Sequence, residues 1–140
     1  MPPDEEELRV LFGEAIDAFA GARALHSVDP NIAFDPASLP PETRQYLRVS
    51  TMASEPEPIG TGAESLYLWT YQVLVCARSG LGELAPLRHA QALRAAFLPF
   101  HEFLGTTDTF RVIRTAEIAS PVPRDGWYTI PVRFRVQCIT

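Results

Sequence analysis

Apolar residues at Leu8, Leu11, Phe12, Ala15, Phe19 and Ala22 return at helical intervals and mark one stripe of a first helix over residues 4–24. Asp4 is placed to cap its start, with Glu7 at the capping-box position three residues on. Glu5 and Glu6 set negative charge against the positive end of the helix dipole, which gives the acidic run a local explanation. Four prolines in SVDPNIAFDPASLPPET make residues 27–43 a connecting loop. The weakly alternating YLRVSTMA, residues 46–53, predicts a first strand. SLYLWTYQVLVCA, residues 65–77, is rich in aromatic and β-branched types and predicts a second.

Gly80 and Gly82 break the chain before a second helix over residues 83–98. Leu87, Ala90, Leu93 and Phe97 share one side of it, and Arg88, Gln91 and Arg94 lie away. Pro86 fits the first turn, where a missing N–H costs little. A third strand over 110–118 follows the GTTD loop, and residues 121–126 turn into a fourth over 127–139. This last strand alternates cleanly: Tyr128, Ile130, Val132, Phe134, Val136 and Cys138 against Thr129, Arg133, Arg135 and Gln137. Pro131 falls on the polar side, which suggests an edge strand or a bulge. The order α-β-β-α-β-β predicts one α+β domain over residues 1–140. Its sheet is expected to be four-stranded and mainly antiparallel, with two helices on one face and a long β-hairpin loop.

The 65–77 strand has apolar residues on both sides. Leu66, Leu68, Leu74 and Cys76 stand at even positions, and Tyr67, Trp69, Tyr71, Val73 and Val75 at odd ones. Two helices on one face cannot bury both sets. Either the odd side is core and loops partly cover the even side, or Tyr67, Trp69 and Tyr71 form an exposed interface patch. Tyr, Trp and Arg are the types that most often anchor such contacts, so Arg133 and Arg135 join the candidates.

The net charge of −5 argues against a nucleic-acid grip, which needs clustered Lys and Arg. All 12 basic residues are arginine, which reads mainly as a high-GC coding bias, though arginine also forms forked interface contacts better than lysine. Cys76 and Cys138 read as buried free thiols in a reducing compartment. No apolar run reaches the ~20 residues of a membrane span, and the start, PPDEEE, is unlike a basic signal peptide. The expectation is a cytoplasmic protein with no membrane contact.

Candidate chemistry is sparse. His26 is read at a helix end, His89 within a helix and His101 in a loop; His101 beside Glu102 is the nearest thing to an acid/base pair. GTGAES resembles part of a phosphate loop but leads into a strand, so no helix N-terminus would receive the phosphate. Glu55, Glu57 and Glu64 lie in SEPEPIGTGAE, where Pro56 and Pro58 favour an extended, solvated chain rather than the apolar pocket an acid/base carboxylate needs. No catalytic residue, metal or cofactor is expected.

The succession of a helix, a proline-rich loop, YLRVSTMASEPEPIGTGAESLYLWTYQVLVCARSGLG, the helix LRHAQALRAAF and the closing WYTIPVRFRVQC resembles the tail terminator (tail completion) proteins of long-tailed bacteriophages and gene transfer agents. The resemblance covers nearly the whole chain and is architectural; the 27–43 loop and HEFLGTTD are less typical. It implies a structural, non-enzymatic part of a virion or phage-like tail, assembled in the bacterial cytoplasm. A homo-hexameric ring would cap the tail tube, end its polymerisation and dock the head-side connector. Its partners would be itself, the tail tube protein and the connector, with DNA passing the lumen without specific binding. Tyr67, Trp69, Tyr71, Arg133 and Arg135 would then serve ring contacts. Glu55, Glu57, Gly60, Gly62 and Glu64 would form a loop facing the lumen or the next ring. Another neck or tail-tube-associated component, or a ferredoxin-like small-molecule-binding regulatory dimer, remain the alternatives.

Overall fold

Asp4 caps helix α1 (Glu5–Ala22), its Oδ1 accepting the Glu7 N–H at 3.1 Å. The reciprocal half of the expected capping box is not made. Glu7 turns its carboxylate to the 105–108 turn, where it accepts from the Thr106 N–H at 2.6 Å and the Thr106 hydroxyl at 2.8 Å. The helix closes in a Schellman motif: Ala24 N–H donates to Gly21 O at 3.2 Å and Leu25 N–H to Ala20 O at 2.8 Å. The left-handed position of that motif is held by Ala24, at φ 54°. A Cβ there is unfavourable by roughly 1–2 kcal/mol, so Ala24→Gly is expected to raise stability by up to about 1 kcal/mol in urea unfolding. His26, read above at a helix end, is instead the first residue of a strand, because the motif terminates the helix before it.

The structure, a computed structural model, describes residues 3–28, 45–52, 57–58, 65–80, 82–124 and 126–139. Among them the strands are β1 (His26–Val28), β2 (Gln45–Met52), β3 (Glu57–Pro58), β4 (Ser65–Arg78), β5 (Glu102–Leu104), β6 (Thr109–Val112), β7 (Glu117–Ile118), β8 (Val122–Arg124) and β9 (Trp127–Ile139). Helix α2 (Leu84–Ala96) joins β4 to β5. The main sheet path runs β1-β2-β4-β9-β6-β5, with β3 on β4 and both β7 and β8 on β9 off that path. The class is α+β, as expected, and every pairing but one among the described strands is antiparallel, but the sheet is not four-stranded. The sheet is mixed, because β1 lies parallel to β2. β4 pairs with all 13 residues of β9, and on the other side of β9 the short strands β6, β7 and β8 share its length. The single strand expected over 110–118 is therefore two, β6 and β7.

Pro131 lies in this interior strand and not at an edge, but it faces an irregular stretch where residues 119–121 span only residues 130–131 of β9, between the β7 and β8 pairings. Its carbonyl accepts the Ala119 N–H at 2.9 Å. A strand residue points its N and O to the same side, so the missing donor of Pro131 faces the gap between β7 and β8. The ladder to β4, where Pro131 opposes Leu74, keeps its bonds.

Both helices cover one face. Leu8, Phe12, Ile16 and Ala20 of α1 and Ala90 and Leu93 of α2 pack on Leu47, Val49, Trp69, Tyr71, Val73, Val75, Phe110, Val112, Ile130, Val132, Phe134 and Val136. Phe12 is the hub. Its ring stacks on Tyr71 at 4.4 Å and meets Phe97, Phe103 and Phe134 at 6.2, 5.9 and 5.9 Å. The Tyr71 hydroxyl is buried without a partner, and burial pushes its pKa up to about 12. Tyr71→Phe removes an unpaired donor while keeping the stack, and is expected to leave stability unchanged or raise it by about 1 kcal/mol in urea unfolding.

Candidate assembly surface

The pleat sends alternate residues of β2, β4 and β9 to the face opposite the helices. Register sets them in rows: Tyr46–Cys76–Thr129, Arg48–Leu74–Pro131, Ser50–Gln72–Arg133 and, along β4 and β9, Thr70–Arg135 and Leu68–Gln137. Two different regions share this outer face.

Towards the β1 end, Val28, Tyr46, Cys76 and Trp127 form a small second core. Tyr46 and Trp127 meet edge to face at 4.9 Å, and Arg78 lies over the Trp127 ring at 4.7 Å. Beside them opens a cavity of about 430 Å³ lined in part by Tyr46, Arg48, Leu74, Val122, Trp127 and Arg133. Further along, arginines take over. Arg133 Nε donates to Gln72 Oε1 at 2.9 Å, and one of its terminal nitrogens lies 3.7 Å from Glu117. Arg135 donates to the Thr70 hydroxyl at 2.9 Å. Thr70, Arg114, Glu117, Arg133 and Arg135 line a second, open cavity of about 320 Å³, which thus carries three guanidinium groups and one carboxylate. Arg48 and Arg114 make no hydrogen bond or ion pair among the described residues.

The expected interface residues therefore separate. Trp69 and Tyr71 are 5% and 1% exposed in the chain's own core, with Trp69 edge-on to Phe110 at 5.8 Å. Tyr67 is half-buried and stacks beside Trp69. The idea that the odd positions of β4 form an exposed patch is corrected: α1 and α2 already cover that side. Arg133 and Arg135 lie on the outer face. Of the expected loop, Glu57 belongs to β3, which pairs with the start of β4, while Glu55, Gly60, Gly62 and Glu64 fall outside the described residues.

Exposed apolar residues that the sequence reading did not single out cluster after α2: Leu98, Phe100 and Leu104 are 57, 73 and 68% exposed. Phe100 also holds φ at 72°, an uncommon conformation for a bulky side chain. Their apolar run, LPFHEFL, was the available signal, but short runs do not reveal which side chains face outward.

The other candidates for chemistry are structural. Glu102 binds Arg111 at 2.7 Å, and the His101 ring packs edge-on against Phe97 and Phe103 at 5.2 and 5.0 Å, so His101 and Glu102 serve different contacts. His89 Nδ1 accepts from Arg23 Nε at 2.9 Å; burial and that cation hold its pKa below the usual histidine value. Both cysteines are free and buried, and burial together with Asp108 pushes Cys138 up to about 11. Among the described residues there is no group of side chains able to hold a metal, and no helix is long and apolar enough to cross a membrane.

Among solved structures, one chain whose name carries no functional description is similar over 98% of this chain and 96% of its own length, at 24% identity and a TM-score of 0.77. A second, from the virion of a native gene transfer agent particle, covers 97% of both chains at 12% identity and a TM-score of 0.61. At these identities the likeness establishes the fold. No curated protein matches the chain. The family model described as phage tail terminator protein matches residues 7–135, taking in all of α2, all of α1 but its first two residues, and all of the sheet except the last residues of β9. The chain belongs to the phage tail terminator family, and so to the structural proteins of phage and phage-like tails.

Proposed function

We propose that copies of this chain close into a ring, a hexamer by resemblance, that caps the tail tube, stops its growth and offers a docking surface to the head-side connector. The family match over residues 7–135 carries the reading. The outer sheet face supports it, since it holds arginines, open cavities and the exposed Val122 rather than a second layer of helices. A ring needs a heterologous contact, in which one surface meets a different surface of the neighbour. Deleting the gene is expected to give overlong tails without heads, seen by electron microscopy. Tails of normal length would overturn the proposal.

The segment carrying Glu55, Glu57, Gly60, Gly62 and Glu64 is proposed to face the lumen or the next ring. β3 supports this by continuing the hairpin to the far end of β4. Glutamates along a lumen would repel passing DNA. Glu55→Arg with Glu57→Arg is expected to slow DNA release from assembled particles, measured as ejection kinetics, while ring assembly is kept.

A further inference from the structure

We infer that the ring contact is made by the arginine-bearing outer sheet face of one copy against the acidic, solvent-facing stripe of helix α1 in the next copy. This rests on the ring reading above and names its two surfaces.

The chain is acidic overall, with 17 carboxylates against 12 arginines, and two of its surfaces carry charge of opposite sign: an acidic stripe on α1 and a set of arginines on the outer sheet face. Glu6, Val10, Glu14 and Asp17 fall on one side of α1, opposite the buried Leu8, Phe12, Ile16 and Ala20, and all of them are exposed. Val10 is 51% exposed in the middle of this stripe. Glu6 and Glu14 have no hydrogen-bond or ion-pair partner among the described residues, while Asp17 accepts from the Ser27 hydroxyl at 2.7 Å. On the opposite side of the molecule, Arg48, Arg133, Arg135 and Arg114 share the outer face, and Glu117 is the one acidic residue beside the last three.

The two surfaces match in length as well as in sign. From Glu6 to Asp17 the helix rises about 16 Å at ~1.5 Å per residue. Arg48 and Arg135 are separated by two strand spacings and four residues along β9, which also comes to about 16 Å. Leu74, on the same row as Arg48, gives Val10 an apolar counterpart. Because stripe and face lie on opposite sides of one chain, each copy presents both. The contact is head to tail, the kind that closes into a ring when the rotation between copies fits. Arg48, Arg114 and Arg135, which have no carboxylate partner among the described residues, suit a carboxylate arriving from outside, since forked pairing gives geometry as well as attraction.

The test is a charge swap followed by sedimentation. One variant carries Arg114→Glu and Arg135→Glu, the other Glu6→Arg and Glu14→Arg; circular dichroism and thermal melting check that both fold. Each variant alone is expected to need at least about tenfold more protein than the wild type to assemble. Mixed in equal amounts, they are expected to co-assemble at wild-type concentration, because reversed faces meet reversed stripes and native faces meet native ones. Folded variants that assemble alone like the wild type overturn this contact and leave the ring reading standing. Failure of the mixture to co-assemble also overturns it, as does normal assembly coupled to lost binding of tail tubes, which would assign the arginine face to the tube protein. A wild type that forms no ring, alone or on tail tubes, takes down the ring reading itself.

Discussion

Phe12→Ala is expected to lower unfolding free energy by about 3–5 kcal/mol in urea titration. The ring is 1% exposed and touches four other aromatic rings drawn from β4, β5, β9 and the end of α2. Removing it deletes the transfer free energy of a large side chain. It also leaves a cavity between layers that cannot collapse, because the sheet is held by its ladders. Domains of this size have about 5–15 kcal/mol in total, so the variant is expected to be marginal at 37 °C. The conservative Phe12→Leu fills most of the volume and is expected to lose clearly less, which separates a packing cost from a general intolerance of change at the site.

The second large effect is expected at Gly105. A Cβ on this residue would collide with the Glu7 carboxylate and come within 2.9 Å of the Asp108 carbonyl oxygen. The carboxylate is the end of a flexible side chain and can move, but moving releases the Thr106 N–H and hydroxyl that it holds. The Asp108 oxygen cannot move freely, since it accepts the Gly105 N–H at 2.9 Å. Gly105→Ala is therefore expected to cost about 1–3 kcal/mol. Coupling is the sharper check. Glu7→Ala loses the same hydrogen bonds, so Gly105→Ala added to it is expected to cost less than on its own, which a double-mutant cycle in urea reads directly.

Much of the outline was legible in the sequence because amphipathic periods leave marks. The 127–139 strand was read to its full extent, since six core residues alternate with polar ones and only a strand has that period. Helix α1 was visible for the same reason, although its buried line runs through Leu8, Phe12, Ile16 and Ala20 and leaves Ala22 exposed. The short strands left too little pattern. β1 has three residues and β7 two, below any length at which alternation is distinct from chance, and both form because a longer neighbour offers open backbone groups. The Asp4/Glu7 spacing suggested a closed local motif, but Glu7 had a better partner almost a hundred residues away.

The candidate site divides in the same way. That β4 has two apolar sides was plain from residues 65–77, but which side the helices take depends on how α1 and α2 reach back across the sheet. Local sequence is symmetric between the two choices, since Tyr67, Trp69 and Tyr71 would be as suitable for an interface as for a core. By itself the sequence determined the α+β class, both helices, the long strands, the membership of Arg133 and Arg135 in a solvent-facing row, and the family resemblance. Tertiary structure alone decided the parallel β1, the threefold division of the β9 edge, the burial of Trp69 and Tyr71, and the gathering of Arg48, Arg114, Arg133 and Arg135 on one face. The reason is physical: periodicity is a property of neighbours in the chain, whereas a face belongs to residues that only strand register brings side by side.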